Sequence, residues 1–168
     1  MSEKMKEGLP PLLCEEPKIL ILGTFPGETS LETGEYYSDS RNAFWDIIAT
    51  LNNGPIQAGD RKNVLMKFHI ALWDIFKEVV QKGSANKNIE CGRYNDVFKF
   101  LSKYSTIKKV VYNGKSDKWM KDFKEKHHDE IRSAEERGVS FHPLSYTTNR
   151  WGKIDDIKKE WLEILSKK

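Results

Sequence analysis

The run Lys18-Ile19-Leu20-Ile21-Leu22-Gly23 is continuously apolar and shows no alternation with polar residues. A strand with one wet face alternates, so an unbroken run of this kind predicts a strand covered on both faces, as in a parallel sheet. Three further short runs follow: His69-Ile70-Ala71-Leu72-Trp73, Lys108-Lys109-Val110-Val111-Tyr112 and, weakest, Val139-Ser140-Phe141-His142-Pro143. Helical patterns separate or follow them at Asn42–Leu51, Tyr94–Leu101, Lys115–Lys126 and Ile154–Leu165. Each places its large apolar residues on one side. Strands alternating with helices predict a three-layer α/β/α sandwich around a four-stranded parallel sheet.

A length of 168 residues suits one domain. We expect it to span 17–168, with 1–16, which contains Pro10-Pro11, as a flexible arm. Residues 127–137 are polar and fit a loop or a short helix. No apolar run reaches the ~20 residues of a membrane span, and the charged start Met1–Gly8 lacks a secretory core. Cys14 and Cys91 are too few for a disulfide framework or a four-cysteine cluster, so a cytoplasmic location is the expectation. No His, Cys and carboxylate cluster shows ligand spacing, and the adjacent His127 and His128 would diverge by ~100° on a helix. No metal or cofactor is expected.

The net charge of +3 averages an uneven chain. Residues 1–37 carry three Lys against seven Glu, whereas 99–126 carry nine Lys against three acids. A basic segment of this kind fits either a phosphate-binding footprint or a solvated helix face. In a parallel sheet, sites gather beyond the carboxyl ends of the strands. That rule selects Thr24–Asn42, Asp74, Asn113-Gly114 and Leu144–Arg150.

The first of these, Gly23-Thr24-Phe25-Pro26-Gly27, is not one of the common phosphate loops. It contains no Gly-x-Gly-x-x-Gly and no Gly-Lys-Ser/Thr, and Pro26 lacks a backbone N–H that such a loop would use. Together with Ser30-Leu31, Tyr36-Tyr37 and Asn42-Ala43-Phe44-Trp45 it instead resembles the first motif region of the uracil-DNA glycosylase superfamily. The similarity is strongest to the hypoxanthine-DNA glycosylase branch, and it extends to the mismatch-specific branch. Ala71-Leu72-Trp73-Asp74, Asn113-Gly114-Lys115 and Pro143–Asn149 are similar to later segments in the same order, so the resemblance spans roughly 17–165.

The resemblance implies a DNA glycosylase that cleaves the bond between a deaminated base, hypoxanthine or uracil, and its deoxyribose. Such enzymes usually flip the nucleotide into a pocket. The expected partner is DNA carrying that base, and the chain is expected to act as a monomer. Tyr37, with Tyr36 beside it, matches the aromatic platform for the flipped base. Phe25 replaces the Asp or Asn that most branches use to hold water, as in the hypoxanthine branch, where that burden falls on the position of Asn42. An amide there can orient a water but cannot deprotonate it. Asn42 also fits a helix cap. Asp74 matches a base-edge reader and also fits a cap for a helix over 75–81. Asn113 lines the turn after the third strand.

The second motif departs from the branch, reading Pro143-Leu144-Ser145-Tyr146-Thr147-Thr148-Asn149. His142 fits either a donor to the base carbonyl or a strand end. Ser145, Tyr146, Thr147, Asn149 and Arg150, with Lys115, are the expected DNA contacts, and Tyr146 or Arg150 is the expected wedge. A DNA-binding module without catalysis and a nucleotide-acting α/β enzyme are the alternatives.

Overall fold

The structure is a computed structural model that describes residues 4–83, 85–148 and 154–167. In chain order the strands are β1 (Met5–Glu7), β2 (Ile19–Gly23), β3 (Ile70–Asp74), β4 (Phe76–Gln81), β5 (Ile89–Tyr94), β6 (Lys109–Asn113) and β7 (Ser140–Leu144). The α-helices are α1 (Glu28–Thr33), α2 (Phe44–Leu51), α3 (Arg61–Lys67), α4 (Val97–Lys103), α5 (Lys118–Lys126), α6 (His128–Glu136) and α7 (Ile154–Ser166).

Strands β3-β2-β6-β7 form a four-stranded sheet, and every pairing in it is parallel. The apolar run Ile19–Gly23 is β2, an inner strand of the sheet buried along its whole length. Its side chains alternate between two cores. Leu20 and Leu22 join Val110 and Tyr112 beneath α4, α5 and α6, where Phe100, Met120, Phe123 and Ala134 pack. Ile19 and Ile21 join Leu72 and Val111 beneath α2, α3 and α7, where Phe44, Ile48, Leu65 and Trp161 pack. Each of these large side chains contributes ~1.5–3 kcal/mol on burial. The expected three-layer sandwich is present.

The chain leaves β2 toward β3 on one side and later returns to β6 on the other. The strand order therefore reverses at β2, which creates a crevice at the carboxyl ends of β2, β3 and β6.

Three expectations need correction. The segment 75–81 is not a helix capped by Asp74. Strand β4 occupies it and pairs antiparallel with β5 as a hairpin, and β1 adds to β4 in a second sheet of order β1-β4-β5. The described part of the N-terminal arm is not loose: β1 is paired, and Leu12 exchanges backbone hydrogen bonds of 2.8 and 3.0 Å with Leu72. The reason is that β3 is an edge strand, whose free ladder groups this segment satisfies. Tyr94 ends β5 instead of starting a helix, and Asp96 caps α4 by accepting from Lys99 N. The polar 127–137 segment contains α6, with Ala134 as its buried contact. Among the described residues no helix is long and apolar enough to cross a membrane.

Candidate active site

The crevice at the reversal point holds a cavity of about 760 Å³, within the ~300–1,000 Å³ range of small-molecule pockets. Of the expected site residues, Phe25, Tyr36, Tyr37, Asn42, Asp74, Asn113, Tyr146 and Thr147 line it. They come from four separate segments, each just past a strand end.

Asp74 closes β3 and is 4% exposed. Its Oδ2 has no hydrogen-bond partner among the described residues. Burial pushes its carboxyl up to about 7, because the charged form is cut off from water there. The paired residue across the ladder is Gly23. A Cβ at Gly23 would collide with Asp74 Oδ1 and stand 3.2 Å from the Tyr37 hydroxyl. Glycine at the end of β2 is therefore what lets the carboxyl and the phenol share the cavity floor.

Tyr37 sits in the left-handed region, with φ 54°. A non-glycine residue held there costs ~1–3 kcal/mol and commonly marks a functional site. Its ring stacks on Phe44 at 4.1 Å between centroids and 30° between planes. Its buried hydroxyl has no partner at full hydrogen-bond geometry among the described residues; burial and then Asp74 raise its pKa, against the Asn113 amide, which is near enough to lower it. Tyr36 has a different task. Its hydroxyl donates to Pro10 O at 2.8 Å, and its backbone carbonyl accepts from Trp45 Nε1 at 3.0 Å. It ties the N-terminal segment to the motif. Phe25 is 7% exposed and packs in the core beside Gly8.

Asn42 Oδ1 accepts from Phe44 N at 2.9 Å, at the entrance to α2. This bond fixes the amide at the cavity wall, and it leaves one lone pair of Oδ1 and both hydrogens of Nδ2 for other partners. The N-cap of α2 is Ala43 and not Asn42, whose side chain instead holds the first helical N–H from one residue upstream while it lines the cavity. Asn113 makes a reciprocal pair with Thr147. Its Oδ1 accepts from Thr147 N at 3.1 Å, and its Nδ2 donates to Thr147 Oγ1 at 3.0 Å. Thr147 O then accepts from Ala43 N at 2.9 Å, which joins the second motif to the start of α2.

The structure separates the other expected residues from the cavity. His142 lies on β7 with its ring bonded to Ser140 Oγ at 2.9 Å. Burial, then Lys109 and Lys167, lower its pKa. It is two residues short of the strand end, on the same face as Leu144, and does not line the cavity. Ser145 does not line it either. Its N and Oγ donate to the Glu160 carboxylate at 3.0 and 2.8 Å, and its carbonyl accepts from Trp161 Nε1 at 2.9 Å. Lys115 is ion-paired with Glu160 at 3.5 Å. Ser145 fastens the loop after β7 to α7, and Lys115 fastens the turn after β6 to the same helix. Asn149 and Arg150 lie outside the described residues.

Cations at the cavity come from elsewhere. Arg41 is paired with Asp39 at 2.7 Å. Lys87, on the turn of the β4–β5 hairpin, and Lys118, at the start of α5, also line the cavity. Asp117 was missed as well. It caps α5 through Oδ1, which accepts from Trp119 N at 2.6 Å and Met120 N at 3.4 Å. Its Oδ2 accepts from Thr24, Asn86 and Tyr146. An Asp directly before a helical pattern could have been read as a cap. Its long-range partners leave no trace in the sequence.

A pocket at the reversal point of a parallel sheet, with a glycine-seated carboxyl, a stacked tyrosine and an asparagine at a helix entrance, is the candidate site of this α/β fold. The chain belongs to the uracil DNA glycosylase superfamily, whose family model matches residues 10–165. Among its relatives is the hypoxanthine DNA glycosylase of Methanosarcina barkeri (strain Fusaro / DSM 804). The two are 31% identical over 113 residues, covering 66% of this chain and 72% of the relative. A second hypoxanthine DNA glycosylase, from Methanosarcina acetivorans, is 30% identical over 114 residues with the same coverage. A solution NMR structure of a candidate uracil DNA glycosylase from Methanosarcina acetivorans has a similar fold. It superposes with a TM-score of 0.76 at 23% identity, covering 96% of this chain and 97% of that one.

Proposed function

We propose that this protein is a monofunctional DNA glycosylase that hydrolyses the N-glycosidic bond of a deaminated base in DNA, with hypoxanthine as the first candidate and uracil as the second. The observation that carries the reading is the floor of the cavity. Asp74 is a buried carboxyl whose Oδ2 has no partner among the described residues and which gains or loses its proton near neutrality, beside the Tyr37 hydroxyl. Hypoxanthine and uracil both present a ring N–H beside a carbonyl. A protonated carboxyl suits that edge, since its O–H donates to the carbonyl.

In the reaction the C1′–N bond breaks and the base leaves with the electron pair. A water adds to the positively charged deoxyribose and loses a proton, and the departing base anion takes up one proton through solvent, so that neutral base and abasic sugar result. Asp74 donates a hydrogen bond toward the charge that develops on the departing base, in a pocket that excludes much of the water. Asn42 orients the attacking water through its free lone pair. This is sufficient because a dissociative step needs only a weak nucleophile. Tyr37, braced by Phe44, supplies a face for the flipped base, worth ~1–3 kcal/mol. Lys87 and Lys118 are placed to meet phosphates at the rim, since backbone contacts position DNA without reading sequence.

The test uses end-labelled duplexes containing hypoxanthine, uracil, xanthine or thymine opposite each base, followed by alkaline cleavage of abasic sites. Strand cleavage that depends on the protein and falls sharply in Asn42→Ala and Asp74→Ala supports the reading. Binding to these duplexes without base release on any lesion would overturn it and favour a DNA-binding module.

A further inference from the structure

The β4–β5 hairpin starts beyond β3 at one edge of the parallel sheet, yet its turn reaches past the end of β2 to the start of α5, which follows β6. Asp117 holds it there. Asn86 Nδ2 donates to Asp117 Oδ2 at 3.0 Å and to the Tyr146 hydroxyl at 3.2 Å. The Tyr146 hydroxyl donates to the same Asp117 oxygen, and Thr24 Oγ1 donates to it at 2.9 Å. One carboxylate oxygen thus gathers four segments that all line the cavity. The Tyr146 ring is also seated. Gly114 has φ 131°, and the ring occupies the space that a Cβ there would need. This clamped tyrosine cannot act as the wedge expected from the sequence without breaking the cluster.

The cluster also fixes the direction of Asn86. Turning its amide over would set Oδ1 against the Asp117 carboxylate, so Nδ2 points into the cluster. Oδ1 has no partner among the described residues, and the half-buried side chain faces the cavity. We propose that Asn86 is a specificity-determining residue that presents Oδ1 to the ring N–H of the flipped base, while protonated Asp74 donates to the neighbouring carbonyl, and that Asp117 is the positioning residue that aims Asn86. The β4–β5 turn is then part of the base pocket, together with Asp74. This deepens the glycosylase reading and rests on it.

Asn86→Ala leaves the cap of α5 intact, because Asp117 Oδ1 makes that cap. Tyr146→Phe removes one hydroxyl and keeps the ring, which guards against loss of the fold. Two readouts are compared: steady-state cleavage of a hypoxanthine duplex, and fluorescence anisotropy on a duplex carrying the cleavage-resistant 2′-fluoro-deoxyinosine. We expect Asn86→Ala to raise KM and weaken lesion-duplex binding by about tenfold, with kcat and undamaged-duplex binding within about threefold of wild type. Tyr146→Phe should show a smaller effect in the same direction. Unchanged KM and lesion binding in Asn86→Ala, in a wild type that cleaves, would overturn the proposal alone. If wild type cleaves nothing but prefers the lesion duplex through Asn86, the pocket assignment stands and the glycosylase reading fails. No lesion preference in wild type would overturn both.

Discussion

Replacing Asp74 with Asn gives a quantitative test of the cavity floor. The carboxyl is pushed up to about 7 by burial, against ~3.9 for an unperturbed aspartate. Between these values the unfolded chain gives up a proton that the folded state keeps. Wild-type stability therefore falls as pH rises from about 4 to about 7 and is level above that, as far as this group is concerned. Three decades of proton affinity at ~1.4 kcal/mol each amount to about 4 kcal/mol. Asn has nearly the same shape and cannot ionise. Asp74→Asn should match wild type at pH 4 and exceed it by up to about 4 kcal/mol at pH 8. Urea unfolding of both proteins at half-unit pH steps measures the difference. A constant gap across the range would refute the argument, as would a variant less stable than wild type at pH 8, since either means that the carboxylate is stabilised in the fold.

Three other outcomes follow from the geometry. Tyr37→Phe should keep lesion-duplex affinity within about threefold, whereas Tyr37→Ala should lose ~1–3 kcal/mol of it by anisotropy, because the ring and not the hydroxyl supplies the stacking face. Asn42→Ala should lower single-turnover cleavage by about a hundredfold or more, and the lost bond to Phe44 N should reduce stability by ~1 kcal/mol in urea. Gly114→Ala should destabilise by ~1–3 kcal/mol by the same measurement, since the backbone there is at φ 131° and the new methyl would strike the Tyr146 ring.

The parallel sheet and its two covered faces were legible in β2, where an apolar run without alternation demands cover on both sides. Phe25, Tyr37, Asn42, Asp74 and Asn113 were legible because sites follow strand ends and because the motif spacing is specific. The hairpin was not. Six residues, Phe76-Lys77-Glu78-Val79-Val80-Gln81, are too few to separate a strand period from a helical one, and the preceding Asp suggested a cap. His142 failed for a related reason: its place within β7, two residues before the end, keeps it short of the crevice. The Asp117 cluster was invisible because its partners are 31, 29 and 93 residues away in the chain. Only the folded topology brings them to one oxygen.

Release of the free base itself tests the central claim most directly. A hypoxanthine-containing duplex is incubated with excess protein, and the supernatant is analysed by mass spectrometry against the strand left behind. The account predicts intact hypoxanthine in the supernatant, one equivalent per abasic site, at a rate that collapses in Asn42→Ala. The claim would be contradicted if no free base appeared from hypoxanthine or uracil duplexes under conditions where the protein binds them.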